Sequence, residues 1–195
     1  MSAEPPRPWQ LSRRFDEAFL YAHEAHRDQQ RKKTSRPYIS HLMGVASLVL
    51  QYGGDEDQAI AALLHDVVED CGGAPRLEEI RAKFGERVAH IVDGCTDADE
   101  IPKPPWRERK ERYIERVRTE PEYVLLVSAA DKLYNMREIL MDLRETGSSV
   151  WERFKGRRDG SLWYYHGLIE AVRGRAPRGL VAELDRTVAE LEKAG

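Results

Sequence analysis

The sequence predicts an all-α fold, on three observations. Apolar residues recur at three- and four-residue spacing along most of the chain, the period of one helix face. No stretch alternates apolar and polar side chains as a half-buried strand does. Clusters of Gly and Pro separate the periodic segments, where helices must stop. With 195 residues, 41% hydrophobic and 33% charged, the chain suffices for one sizeable core. Its net charge of −3 lacks the basic excess of a protein that grips duplex nucleic acid. No apolar run reaches bilayer-spanning length, and residues 1–10 have no signal-peptide core. Two cysteines, Cys71 and Cys95, make neither a zinc spacing nor a disulfide framework. A cytoplasmic protein away from membranes is expected, with residues 1–10 a flexible arm and 11–195 a single domain. Within that domain the core runs from about 26 to 146 and a helical C-terminal extension from 147 to 195.

Taken in order, Phe15, Ala18, Phe19, Ala22 and Ala25 place a first helix over about residues 11–30. His23 and His26 on it are assigned to no metal. The basic loop Arg31-Lys32-Lys33-Thr34-Ser35-Arg36-Pro37 follows, with Pro37 disfavouring helical backbone at Arg36. A second helix from Tyr38 to Gly53-Gly54 puts His41 on the stripe of Val45, Leu48 and Val49, so its ring points inward. Asp55 caps the third, with Gln58 completing a capping box, and Gly72-Gly73 stops it.

That third helix is the chemically loaded one. After Ala59-Ile60-Ala61-Ala62-Leu63-Leu64 come four ionisable groups: His65, Asp66, Glu69 and Asp70. On one continuous helix His65 stacks over Glu69 and Asp66 over Asp70. Burying such carboxylates is costly without a cation or a dense hydrogen-bond network. A divalent metal on His65 and Asp66 meets that demand and leaves Glu69 and Asp70 to handle a water.

Short helices are expected around Arg76–Phe84 and through Val88, Ile91 and Val92. The acidic, Pro-rich connector from Thr96 to Pro105 excludes a helix and reads as a stiff loop or lid. Trp106 to Arg118 resumes with a basic face of Arg107, Arg109, Lys110 and Arg112. Thr119-Glu120-Pro121-Glu122 is read as a second capping box, opening a helix apolar nearly all round from Val124 to Ala130. Asp131 on that helix needs a positive partner, and the metal of His65 and Asp66 is the simplest; Asn135 lies one turn on, and Gly147 ends the helix. The segment Trp151 to Tyr165 is dense in aromatics, which indicates core, with Arg153 and Lys155 able to face a nucleotide. Last, Leu180, Leu184, Val188 and Leu191 form the stripe of a C-terminal amphipathic helix, which packs on the body or on a second copy in a homo-oligomer.

His41, the pair His65-Asp66 and the distant Asp131 give the H…HD…D pattern of HD-domain metal-dependent phosphohydrolases. The local context sharpens it. Pro37-Tyr38-Ile39-Ser40-His41, Ala61 to Asp70, Phe84-Gly85 and Asp131-Lys132-Leu133-Tyr134-Asn135 resemble the hydrolase domain of RelA/SpoT proteins, above all the stand-alone small alarmone hydrolases. The likeness runs from about His26 to Met136. It implies an HD-domain helical bundle that cleaves the 3′-pyrophosphate of guanosine tetra- or pentaphosphate, with one Mn²⁺ per chain. It further implies His41, His65, Asp66 and Asp131 as metal ligands, Glu69 and Asp70 as the pair that handles the attacking water, and Arg31, Lys32, Tyr38 and Asn135 around the nucleotide. The chain departs from the family in Leu42, where Pro is common, and in Lys33, where Asp or Ser is common.

The chemistry is consistent without the likeness. A bound metal lowers the pKa of water from about 15.7 toward about 7, and a nearby carboxylate takes the proton. No Gly-rich phosphate loop is present, which excludes a P-loop ATPase. Two other readings use the same residues: a different nucleotide substrate (an adenine alarmone or the 2′-phosphate of NADPH), and a non-catalytic nucleotide sensor.

Overall fold

The computed structural model describes residues 10–32, 34–97 and 102–194. The expected N-terminal arm, Lys33 and the middle of the acidic connector therefore lie, wholly or nearly so, outside the described residues. Helices α1 (Arg13–Ala25), α2 (Ile39–Gln51), α3 (Glu56–Leu64), α4 (Val67–Cys71), α5 (Ala74–Phe84) and α6 (Glu86–Cys95) form the first half. The second half holds α7 (Trp106–Thr119), α8 (Glu122–Thr146), a 3₁₀ segment (Gly147–Arg153), α9 (Arg157–Val172) and α10 (Arg178–Ala194). Among the described residues the only extended pairing is one isolated bridge, Gln30 to Pro37. None of the described helices is long and apolar enough to cross a membrane.

The all-α expectation holds, and α8 is the axis on which the fold is assembled. Val124 to Ala130 of α8 are buried on every side, as their unbroken apolar run requires. α2, α3, α6, the 3₁₀ segment, α9 and α10 all pack on it. Close approach of α2 to α8 depends on Gly44, where a Cβ would stand 1.9 Å from the Tyr134 ring. The terminal stripe Leu180, Leu184, Val188 and Leu191 is buried against the body, chiefly on α8 and α9.

Three local expectations are corrected. The first helix stops at Ala25, because His26 turns inward, stacks on Tyr38 at 4.8 Å and bonds Gln29. The described residues 26–32 and 34–38 then run back along each other, with Arg31 N–H donating to Arg36 O at 2.9 Å and Tyr38 N–H to Gln29 O at 2.9 Å. The third helix is not continuous. It ends at Leu64 and restarts at Val67, because His65 Nδ1 bonds the Ala62 carbonyl at 2.8 Å, the acceptor that the Asp66 amide would use in an unbroken helix. Finally, Thr119-Glu120-Pro121-Glu122 makes no capping box: Thr119 Oγ1 donates back to Arg116 O and Pro121 stands at the N-cap of α8. By contrast the Asp55–Gln58 capping box forms as expected.

Candidate active site and metal centre

The break between α3 and α4 carries two of the site residues. His65 and Asp66 occupy the turn itself, so both side chains leave the backbone at one point and face α2 and α8. His41 comes from the first turn of α2, and Asp131 from the middle of α8. His41 Nε2 lies 3.2 Å from His65 Nε2, 3.3 Å from Asp66 Oδ2 and 3.3 Å from Asp131 Oδ1. His65 Nε2 lies 3.1 Å from Asp66 Oδ2 and 3.6 Å from Asp131 Oδ1. Adjacent ligands about 2.0–2.2 Å from one ion stand roughly 3–3.6 Å apart, so this spacing fits a shared divalent metal. His41, His65 and Asp66 are the compact set among the described residues, and Asp131 closes on them through its contacts with both imidazoles.

The electrostatics make the same demand. Two imidazole nitrogens and two carboxylates are gathered where both histidines are only 1% exposed at the side chain. Burial disfavours a charge on His65, yet Asp66 and Asp131 raise its pKa to about 10. Against burial, His65 and His41 hold Asp66 well below the usual carboxylate range, and Lys132 first, then the two imidazoles, do the same for Asp131. Lys132 balances part of this charge from the Asp131 side, and a divalent ion would complete the balance between the imidazoles and carboxylates. The bond from His65 Nδ1 to Ala62 O fixes the tautomer that turns a lone pair on Nε2 inward. Asp131 is braced on both oxygens, Oδ1 accepting from Asn135 Nδ2 at 2.5 Å and Oδ2 from Lys132. Tyr38 OH donates to Asp66 Oδ2 at 2.6 Å.

Beside this cluster opens a cavity of about 600 Å³. Glu69 and Asp70 line it from α4, the former half-buried and the latter exposed. Lys103 Nζ sits 2.8 Å from Glu69 Oε1, and Gln29 Nε2 donates to Asp70 Oδ2 at 2.7 Å. Arg31 and Lys32 line the cavity from the 26–38 loop, and Asn135 from α8. The Arg31 guanidinium lies 5.3 Å from the centre of the Tyr38 ring, bonded to Asn135 Oδ1 at 2.6 Å and to Glu138 at 2.9 Å. All ten residues singled out from the sequence thus meet at one cavity and the cluster beside it. Tyr38 does so differently from expected: its hydroxyl is committed to Asp66, and its ring supports Arg31.

Sequence reasoning missed Glu138 and Asp142, the acids beneath the cavity's arginines, and Trp106 in its wall, whereas Lys110 of the basic 107–112 face and Tyr165 of the aromatic segment line it as the sequence allowed. A signal for the acids was present. Asp131, Asn135, Glu138 and Asp142 fall at i, i+4, i+7 and i+11, a polar stripe on one face of an otherwise apolar helix.

The comparisons with known proteins agree with this geometry. The HD domain family model matches residues 18–162. Guanosine-3′,5′-bis(diphosphate) 3′-pyrophosphohydrolase MESH1 of Xenopus tropicalis is 42% identical over 161 residues, 81% of this chain and 82% of its own. The Mus musculus MESH1 is 39% identical with the same coverage. The guanosine-3′,5′-bis(diphosphate) 3′-pyrophosphohydrolase of Aquifex aeolicus is 35% identical over 130 residues, 67% of this chain but 18% of that longer protein. Among solved structures, one described as a metazoan orthologue of SpoT that hydrolyses ppGpp superposes with a TM-score of 0.77. It is 30% identical, covering 96% of this chain and 98% of the other. With helices, ligand cluster and matched span all in accord, the chain belongs to the HD-domain family, alongside MESH1- and SpoT-type homologues.

Proposed function

We propose that this protein is a metal-dependent hydrolase that removes the 3′-pyrophosphate of guanosine tetra- and pentaphosphate, yielding GDP or GTP and pyrophosphate. One observation carries the reading: four nitrogen and oxygen donors converge at a cationic cavity with two further carboxylates, Glu69 and Asp70, in its lining. The activity named for the relatives supports it.

In this reading His41, His65, Asp66 and Asp131 hold the ion. A divalent metal, here Mn²⁺, supplies charge neutralisation for the phosphoryl oxygens and a water acidic enough to ionise near neutral pH. Glu69 and Asp70 take the proton as the water oxygen bonds to the phosphorus next to the ribose. The bond from that phosphorus to the 3′-oxygen breaks, and the oxygen leaves as the ribose hydroxyl after accepting a proton. Lys103 and Gln29 keep the two carboxylates aimed at the cavity. Arg31 offers a flat, weakly hydrated face for the guanine, held rigid by Glu138 and Asn135. Lys32 neutralises phosphate at the cavity edge. Asn135 bonds both Arg31 and Asp131, so it couples the seat of the base to the metal centre.

The deciding experiment is a product assay with Mn²⁺ on guanosine tetraphosphate, an adenine alarmone and NADPH side by side. GDP and pyrophosphate from the first, at a kcat/KM well above the others, is the expected result. Release of orthophosphate from NADPH with no pyrophosphate from either alarmone would overturn the substrate. No turnover of any of the three, with nucleotide still bound, would leave a sensor.

A further inference from the structure

The polar stripe of α8 continues beyond the residues used above. Asp142 lies eleven residues beyond Asp131, about 16 Å of helix. Two carboxylates at the far end of this stripe, Glu138 partly buried and Asp142 buried, hold three guanidiniums. Glu138 accepts from Arg31, and from Arg36 Nη1 at 3.2 Å. Asp142 accepts from Arg36 on Oδ1, and from Arg153 Nη1 at 2.6 Å on Oδ2. The carboxylates lie beneath, 13% and 10% exposed, and the arginines above, 18–31% exposed. Three positive charges on two negative ones leave a net cation. Moreover, Arg153 has five N–H donors and uses one of them on Asp142.

Where Arg153 stands shows what the surplus faces. Arg153 and Lys32 line both the main cavity and a second, adjoining one of about 400 Å³. The outer cavity adds Lys155 and Arg157, neither of which pairs with an acid among the described residues, and a single acid, Glu152. Arg157 is also the one described non-glycine residue with positive φ, at 52°. A long cationic side chain kept in a backbone conformation that suits glycine marks a position under some demand other than folding.

We propose that Arg153, braced by Asp142 and flanked by Arg36 and Arg157, forms a second anion station, which binds the 5′-phosphates of the nucleotide while its 3′ end lies at the metal centre. The station gives a role to Arg36 and Arg153, cations of the cavity lining that the metal centre does not use. It also fits a substrate bearing anions on both sides of one ribose. Arg153 and Arg157 act as binding residues and Asp142 as a positioning residue. The nucleotide's identity rests on the proposed function; the presence of an anion station does not.

Equilibrium titration of guanosine, GDP and GTP into Mn²⁺-loaded protein tests it without turnover, since none of the three carries a 3′-pyrophosphate. GDP should bind about tenfold or more tighter than guanosine, a gap that narrows as salt rises. Arg153→Ala should shrink the gap several-fold while guanosine binding stays as in wild type, and Asp142→Asn should do the same with Arg153 intact. Arg157→Gly guards against misfolding: glycine accepts the backbone there, so thermal stability should hold or rise while the gap narrows. In kinetics, Arg153→Ala should raise KM for guanosine tetraphosphate with kcat near wild type, and leave guanosine 3′-pyrophosphate with a free 5′-hydroxyl unaffected. Equal binding of GDP and guanosine by wild type overturns the station. So does an Arg153→Ala loss as large for guanosine as for GDP, since the guanidinium would then be reading the base. If no alarmone is hydrolysed at all, the proposed function fails, and the GDP-to-guanosine comparison still decides the station.

Discussion

At the scale of single residues, roles divide between groups that touch the cluster and groups that aim them. Glu69 and Asp70 border the cavity without belonging to the donor set, so removing their charge should leave the ion in place. Glu69→Gln and Asp70→Asn are expected to lower kcat by about 10²–10⁴-fold, the usual range for general acid–base groups. Metal content by elemental analysis and the unfolding midpoint should match wild type; near-normal turnover in both variants would remove them from the proton path. That His41, His65, Asp66 and Asp131 would converge was legible in the sequence because they are ionisable groups set among residues that can only be buried, which demands compensation. Glu138 and Asp142 were not, because a polar residue far along a helix is ordinarily solvated. Only the fold shows the 26–38 loop and the 3₁₀ segment bringing arginines down upon them.

At the scale of elements, the distance between α2 and α8 sets the width of the cluster, since His41 rides on one and Asp131 on the other. Gly44 controls that distance. A methyl group there would meet the Tyr134 ring at 1.9 Å, and the ring is not free to swing, being bonded through its hydroxyl to Ser40 O and packed 5.2 Å from His41. Gly44→Ala is therefore expected to cost about 1–3 kcal/mol in urea unfolding, as overpacking does, and to weaken metal binding as well. Adding Tyr134→Ala should recover part of both; a Gly44→Ala variant as stable as wild type would show that the helices shift freely. Helix periods and caps such as Asp55–Gln58 were readable, since they depend on local chemistry. The break at His65-Asp66 was not, because one imidazole diverts the Ala62 carbonyl, a contact that neither propensity nor spacing encodes. The 26–38 turn was hidden in the same way by the inward rotation of His26.

At the scale of the whole molecule, α10 stabilises without taking part in the chemistry. Leu184 is fully buried under α8 and α9, and none of the cavity-lining residues comes from α10. Leu184→Ala should destabilise the fold by about 2–5 kcal/mol while kcat well below the melting temperature stays near wild type. Chelation should act in the complementary way, abolishing turnover and lowering stability by about 2.7 kcal/mol relative to protein held at one hundred times its metal dissociation constant. A large fall in kcat from Leu184→Ala would mean that α10 sets the shape of the cavity through α8. Finally, the proposed donors at positions 41, 65, 66 and 131 come from three separate parts of the chain, and no two neighbouring elements carry the full set. A growing chain exposes His41, His65 and Asp66 long before Asp131 exists, and so can capture an ion only incompletely until α8 has docked. With an ion bound as proposed, its escape would require α2 or α8 to lift from the α3–α4 turn. The rate at which metal exchanges out of the folded protein then works as a stopwatch for that breathing motion, readable by isotope exchange with no probe attached to the chain.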